Sequence, residues 1–402
     1  MAETPYFVSY PEAMEILKCH PLHLSTEHVS LDDAFHRILS QDLESKVNDP
    51  RFDNSSMDGF AFRFQDSISP PTSLDVIQTI QAGTSLPQTT VETGQAARIM
   101  TGAPIPKGAD AILPIEKCRV DEEKSTVILL EEGKKHFIRK QGENLRRGHI
   151  ALHQGDILNP SSIGLCATMG HPSVPVFSKA KIGIISTGDE LKFPGEKLSE
   201  NDIYESNSFG LSGLVRLSGH EAKRYDSVVD SLDELRDKLD IASQECDLIL
   251  TSGGVSMGDW DLVRKLIEEE GDIKFWRVKI RPGSPPLFGY WNGKPLFGLP
   301  GNPASSHVVF RMLVAPYLRH STHGGFQERK IRVQLAERFK TDENFLVLRR
   351  IKIDMSGDKI LAYSTGYQGS GNLNSLVLAD GLTLLEPGHS GEIGTWCEAL
   401  LL

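Results

Sequence analysis

Four segments of this chain combine residue types that do chemistry. Ser186-Thr187-Gly188-Asp189-Glu190-Leu191 places two adjacent carboxylates directly after the apolar run Ile182-Gly183-Ile184-Ile185. A glycine-rich turn, Thr251-Ser252-Gly253-Gly254-Val255-Ser256-Met257-Gly258-Asp259-Trp260-Asp261, follows the run Asp247-Leu248-Ile249-Leu250 and brings two more carboxylates to a helix start. Glycines allow positive φ and close backbone approach, so successive N–H groups there can form a nest for phosphate oxygens. Four carboxylates on two such loops could hold Mg²⁺. The third segment, Trp276 to Pro285, alternates basic and apolar residues, so that on a strand Arg277, Lys279 and Arg281 share one face suited to an anion. The fourth, Gly298-Leu299-Pro300-Gly301-Asn302-Pro303, is a stiff turn into a helix whose N–H groups offer anion binding. Each also has a plain reading: Asp259 and Asp261 as helix caps, Asp189 and Glu190 as solvated loop charges, the basic strand as a solvated edge. Two acidic loops at successive strand ends weigh against coincidence.

These loops need a scaffold. Between residues 180 and 325, apolar runs ending in Gly/Ser/Thr loops alternate with helical stretches at about 208 to 218, 231 to 245 and 261 to 270. That alternation predicts a parallel α/β sheet with helices on both faces, and in such a sheet ligands sit beyond the carboxyl ends of the strands. The glycine loop matches neither G-x-x-x-x-G-K-[ST] nor G-x-G-x-x-G, which points to a different nucleotide or pterin pocket. Residues 11 to 40 read as two short helices, the second opened by Ser30 with Asp33 three residues on. From about 45 to 150, short apolar runs such as Ala111-Ile112-Leu113-Pro114 and Val127-Ile128-Leu129-Leu130 suggest a β-rich region. Asn159-Pro160 opens a further helix, and the last 75 or so residues return to period-two alternation. Within the β-rich stretch, the segments around Asp58 and Thr101 read from composition as plain turns. His149 and His153 have helical metal spacing but lie in a strand-like run with no glutamate between them, which argues against zinc.

With 402 residues, several domains are expected. Forty-three Lys plus Arg against 54 Asp plus Glu leave a formal charge of -11, which is unsuited to sequence-independent nucleic-acid binding. An anionic substrate would therefore need local cations. No segment nears the roughly 18 uninterrupted apolar residues of a membrane span, and the first residues lack a basic n-region and an apolar h-region. Five widely spaced cysteines (Cys19, Cys118, Cys166, Cys246, Cys397) with no C-x-x-C pair argue for reduced thiols and a cytoplasmic location.

Read together and in order, Asn54-Ser55-Ser56-Met57-Asp58-Gly59-Phe60-Ala61, Ile99-Met100-Thr101-Gly102-Ala103, Gly142-Glu143-Asn144, Ser186 to Leu191, Thr251 to Ser256, Arg281-Pro282-Gly283 and Leu299 to Pro303 resemble the molybdopterin molybdenumtransferase family, which includes the E domain of gephyrin. The resemblance implies a helical linker and dimerisation region (1–45 and 146–178), an inserted β-rich domain (46–145), a molybdopterin-binding α/β domain with a parallel sheet (179–326) and a C-terminal β-barrel-like domain (327–402), assembled as a homodimer. It implies insertion of molybdenum from molybdate into adenylylated molybdopterin, with AMP released and Mg²⁺ required. The implied metal-handling residues are Asp189, Glu190, Asp259, Asp261 and, more weakly, Asp230. Catalysis would use Asp58 and Thr101 across the dimer together with Asp189, Glu190 and Asp261. Substrate would meet Gly253, Gly254, Ser256, Arg277, Lys279, Arg281, Pro300, Gly301 and Asn302. The adenylyltransferase that makes the substrate and the molybdoenzyme apoproteins that take the product are the implied partners. Two positions depart from the family pattern: Asn144 where it often has Asp, and Ser284 where it often has Lys. The competing expectation is a peptide-binding scaffold of the gephyrin E-domain type. Retention of Asp58, Asp189, Glu190 and Asp261 favours catalysis.

Overall fold

The structure, a computed structural model, describes residues 5–85, 87–255, 261–325 and 327–402. Its centre is a seven-stranded sheet in the order Tyr6–Val8, Asp272–Val278, Leu287–Trp291, Lys294–Leu299, Leu248–Ser252, Lys181–Ser186, Glu221–Arg224. Leu287–Trp291 alone runs against the others, because it pairs antiparallel on both sides while the remaining neighbours pair in parallel. The expected parallel sheet is thus mixed, with a hairpin through Asn292-Gly293 inserted into it; a two-residue turn joins only antiparallel strands.

Strand alternation sorts the core into two layers. Ile182, Ile184, Leu248 and Leu250 face the helix Asn207–Leu217 and the helical run from Pro303 to Ser321, and share one apolar cluster with Leu211 and Val308. Ile185 and Ile249 face the opposite way, onto Leu235 and Leu239 of the helix Leu232–Glu245 and onto Val263 and Ile267 of the helix Leu262–Glu270. With apolar contacts on both sides, these strands read as continuous hydrophobic runs. Ser231 accepts the Glu234 N–H and Asn159 accepts the Ser162 N–H, so both caps expected for these helices are made.

The inserted region holds a six-stranded sheet built from Ala111–Pro114, Gly59–Phe62, Gln95–Ile99, Thr72–Ile80, Thr126–Leu129 and Cys118–Asp121. A closed barrel of Lys330–Leu335, Leu361–Ser364, Arg350–Asp354, Gly381–Leu384 and Trp396–Leu401 ends the chain. The linker region corrects its expected helical character. Tyr10–Lys18 and Pro160–Thr168 are helices, but Thr26–Ser30 is a strand paired with Ser173–Phe177. Ser30 does bond Asp33, through Oγ to the carboxylate at 2.7 Å and from the Asp33 N–H at 3.3 Å, yet it closes a turn. The His36 and Leu39 N–H groups pair instead with the carbonyls of Leu158 and Asp156, which draws Leu39 into a core with Val174 and Val176; tertiary pairing overrides the cap signal. Among the described residues no helix is long and apolar enough to cross a membrane.

Gly59 sits in the inserted sheet where an added Cβ would fall 2.1 Å from the Leu113 carbonyl oxygen, a backbone atom that cannot rotate away. Gly59→Ala should lower stability by about 1–3 kcal/mol through forced backbone displacement. A thermal melt coincident with that of the wild type would show that the strands separate freely.

Candidate functional site

Strand exits create the site. Beyond the carboxyl ends of Lys181–Ser186, Leu248–Ser252 and Lys294–Leu299 lies a cavity of roughly 430 Å³, lined by Thr187, Gly188, Glu190, Gly253, Gly254 and Asp261, among others. Ser206, Asn207, Asp230, Gly301, Asn302 and Pro303 complete much of its wall. The two loops approach closely: the Thr187 N–H donates to the Ser252 carbonyl at 3.0 Å, and Gly253, at φ +105°, leaves only 2.7 Å between a hypothetical Cβ and Thr187 Oγ1. A side chain at Gly253 would be strained in backbone and contact alike.

The carboxylates crowd one another. Asp189 accepts the Asp230 N–H at 2.8 Å, which brings the Val228-Val229-Asp230 turn to the acidic loop. Burial, and then the charges of Asp189 and Glu190, push the Asp230 carboxyl above the usual aspartate range. Asp261, only 8% exposed, opens the helix Leu262–Glu270 without capping it through its side chain. Asp230, Glu190 and Asp261 line the cavity, and Asp189 reaches it through Asp230. Among the described residues no three ligating side chains already converge on a metal position. The raised Asp230 nevertheless marks a spot short of positive charge, which fits a divalent cation. Ser256 and Asp259 lie outside the described residues.

Gly301 and Asn302 line the same cavity, and Pro300 acts through its carbonyl, which accepts the hydroxyls of Ser252 and Ser306. The three basic residues are placed elsewhere. Arg277 adopts φ +67°, yet it stays on the face expected for it, beside Lys279. It bonds the Tyr6 hydroxyl at 3.1 Å and lies over Phe7, where Lys279 also approaches. Arg281 pairs with Asp342 at 2.6 Å and covers Phe345 at 4.0 Å. None of the three lines the cavity. Asp58 and Thr101 form a pair in the inserted region: Asp58 Oδ1 accepts the Thr101 N–H at 2.6 Å and its hydroxyl at 2.8 Å, which holds the carboxyl below its usual range. This pair also lies outside the cavity of its own chain.

Two residues of the site, Glu205 and Asn207, and one buried in the terminal barrel, Arg350, escaped the sequence reading. Glu205, 7% exposed, accepts from Ser186 Oγ at 2.9 Å and from the Ser208 N–H and hydroxyl at 2.7 and 2.6 Å, so it anchors the start of the helix Asn207–Leu217. Asn207 Nδ2 donates to Ser252 Oγ and to the Gly301 carbonyl, both at 2.7 Å. Arg350 is fully buried in the barrel, where it bonds Ser375 Oγ and the Gly369 carbonyl; its Nη1 has no partner. Burial first, then Arg349, brings its pKa down to about 10. The loop it holds reaches the site, because the Ser370 carbonyl accepts the Ala304 N–H at 3.0 Å, one residue past Pro303. The Asn207 signal was present in Glu205-Ser206-Asn207, a polar triplet at a helix start; nothing distinguished Arg350 from Arg349.

The chain matches three family models in succession: MoeA N-terminal region (domain I and II) over residues 8–170, Probable molybdopterin binding domain over 183–320, and MoeA C-terminal region (domain IV) over 332–402. It is 36% identical over 305 residues to a protein named molybdopterin molybdenumtransferase from Haemophilus influenzae, covering 76% of this chain and 75% of that one. A protein of the same name from Bacillus subtilis is 34% identical over 395 residues, with 94% and 90% covered. Among solved structures, the molybdopterin biosynthesis moeA protein from Pyrococcus horikoshii superposes with a TM-score of 0.84 at 28% identity, covering 98% of this chain and 100% of that one.

If Asp189 and Glu190 hold the Asp230 carboxyl up, Glu190→Gln should lower the Asp230 pKa, since one of two repelling charges is gone. Carboxyl carbon shifts followed by NMR across a pH series would read this directly. An unmoved Asp230 titration would leave burial and Asp189 as the causes.

Proposed function

This chain belongs to the molybdopterin molybdenumtransferase family and acts in molybdenum cofactor biosynthesis, and from that premise we propose that it inserts molybdenum from molybdate into adenylylated molybdopterin with Mg²⁺-dependent release of AMP. The observation that carries this reading is the meeting of Glu190, Asp230 and Asp261 with the Gly253-Gly254 turn around one cavity. Asp189, Glu190, Asp230 and Asp261 would hold the cation, which supplies positive charge to offset the phosphates of the substrate. Backbone N–H groups of the Gly253-Gly254 turn and of the turn at Gly301 and Asn302 would bind and orient phosphate oxygens. Asp230 keeps its proton to higher pH than an ordinary aspartate, so cation binding there displaces a proton and should strengthen as pH rises through the Asp230 titration.

The oxyanion needs a cation of its own in a chain of net charge -11. Arg281 is already paired with Asp342, whereas Arg350 has an unpartnered Nη1 and a loop that runs to the site, so we assign the oxyanion to Arg350. Asp58 and Thr101, outside their own chain's cavity, would serve the cavity of a partner in a homodimer. Five free cysteines suit the reducing cytoplasm as the place of action.

Incubation with adenylylated molybdopterin, molybdate and Mg²⁺ should release AMP, and Asp189→Asn or Glu190→Gln should slow release by roughly a hundredfold or more. Mixing Asp58→Asn with Glu190→Gln subunits should restore roughly a quarter of wild-type activity, because half the dimers become mixed and each mixed dimer has one intact cleft. Arg350→Lys, which keeps the charge but loses the planar fork, should raise the molybdate requirement by roughly tenfold. Molybdate binding with no AMP release in the wild type would point to a scaffold.

A further inference from the structure

Beyond Glu205 the site meets a second cavity of roughly 480 Å³, lined by Leu191, Phe193, Glu196, Ser208, Arg224 and Tyr225 among others. Leu191 and Glu205 form the margin common to the two cavities. Here two large aromatic side chains stand outside any core: Phe193 is 54% exposed and Phe209 40%, with ring centroids 5.6 Å apart and tilted by 54°. The Arg224 guanidinium carbon lies 3.6 Å over the Phe209 centroid and 5.9 Å from that of Phe193. Arg224 has no ion pair among the described residues; its one hydrogen bond, to Ser208 Oγ, is long at 3.4 Å. Arg224 covers the ring of Phe209, and Phe193 beside it lines the cavity with more than half of its surface exposed, which costs hydration.

We infer that this second cavity receives a planar, hydrogen-bonding heterocycle of the substrate whose phosphates occupy the first cavity, an inference that rests on the reading proposed above. A heterocycle offers flat faces to the phenyl rings and guanidinium, and an edge of donors and acceptors to the polar wall. Arg224 supplies donors. Asp226 supplies an acceptor, as does Glu196, one oxygen of which already takes the Phe193 N–H at 2.6 Å. A phosphate would not select this place, because Glu196, Glu205 and Asp226 all line it while Arg224 is its lone cation. Glu205 is held by three hydrogen bonds at the margin and fixes where one cavity ends and the other begins. The substrate of the family reaction has two such heterocycles, an adenine and a pterin, and both satisfy this chemistry.

Calorimetric titration of the Mg²⁺-loaded protein with AMP, with ribose 5-phosphate and with 6-hydroxymethylpterin phosphate separates the sources. In Phe193→Ala and Arg224→Gln, affinity should fall by roughly tenfold or more for AMP if adenine sits here, or for the pterin phosphate if the pterin does. Ribose 5-phosphate, which has no heterocycle, should bind these variants as it binds the wild type. Unchanged affinity for all three ligands in both variants overturns the inference alone. Equal losses for all three, ribose 5-phosphate included, also overturn it, since the cavity would then act on the phosphate. A wild-type protein that binds none of the three overturns the substrate reading itself and the inference with it. Phe193 is exposed and contributes to no core cluster, so its removal leaves the fold intact and keeps the comparison interpretable.

Discussion

The site is held together by one carboxamide. Asn207 uses its single side-chain nitrogen to grip Ser252 at the end of one strand and Gly301 after another, and a carbonyl such as that of Gly301 can only accept, so the amide has one orientation. Everything else is arranged around this fixed point. Glu205 secures the helix that carries Asn207, Ser252 passes a hydrogen bond on to the Pro300 carbonyl, and Ser306 reaches the same carbonyl from the following helix. Loops that would otherwise be free to separate are thus bound at a common centre. Gly253 then lets its backbone approach Thr187, where an added Cβ would lie 2.7 Å from Oγ1 and 2.8 Å from the carbonyl oxygen.

Charge is distributed with equal economy. Acidic groups concentrate where a divalent cation would offset them, and Asp230, whose carboxyl resists ionisation through burial first and then through the charges of Asp189 and Glu190, shows the cost of gathering them. Cations are mostly committed elsewhere: Arg281 to Asp342, Arg277 and Lys279 to the aromatic pair at the N-terminal edge strand. Arg350 is fully buried and keeps Nη1 without a partner. Burying a guanidinium with one nitrogen unpartnered is costly, a cost the proposed oxyanion would offset. Its connection to the cavity is a loop held at one end by the guanidinium and at the other by the Ala304 N–H.

Sequence reading found what depends on local chemistry. Strand exits, helix starts and caps at Ser231 and Asn159 follow from short-range signals, and the carboxylates of both loops were legible because they directly follow apolar runs. It failed where distant segments decide. Ser30 carries a cap-like signal, yet it pairs with Ser173, and His36 and Leu39 after it pair with Leu158 and Asp156, all more than a hundred positions away. Leu287–Trp291 reverses direction within an otherwise parallel sheet because a hairpin needs only a two-residue turn. The alternation from Arg277 to Arg281 gives one basic face, but that face lies over Phe7 and Phe345 and does not line the cavity, which local spacing cannot reveal. Arg350 was invisible because burial of one of two adjacent arginines is a property of the closed barrel.

The inserted sheet shows the same logic applied to a residue outside its own cavity. Asp58 is exposed, and an exposed carboxylate in a turn needs no particular position for stability. Yet its position is over-determined: the Thr101 N–H and hydroxyl hold one oxygen, the Ile115 N–H holds its backbone carbonyl at 3.1 Å, and Gly59 next to it admits no side chain against Leu113. Both Thr101 bonds stabilise the ionised form, so the group keeps its negative charge to lower pH than a free aspartate. The cleft between two subunits proposed above would demand a charge held in this way, ionised and fixed on a sheet while open to solvent.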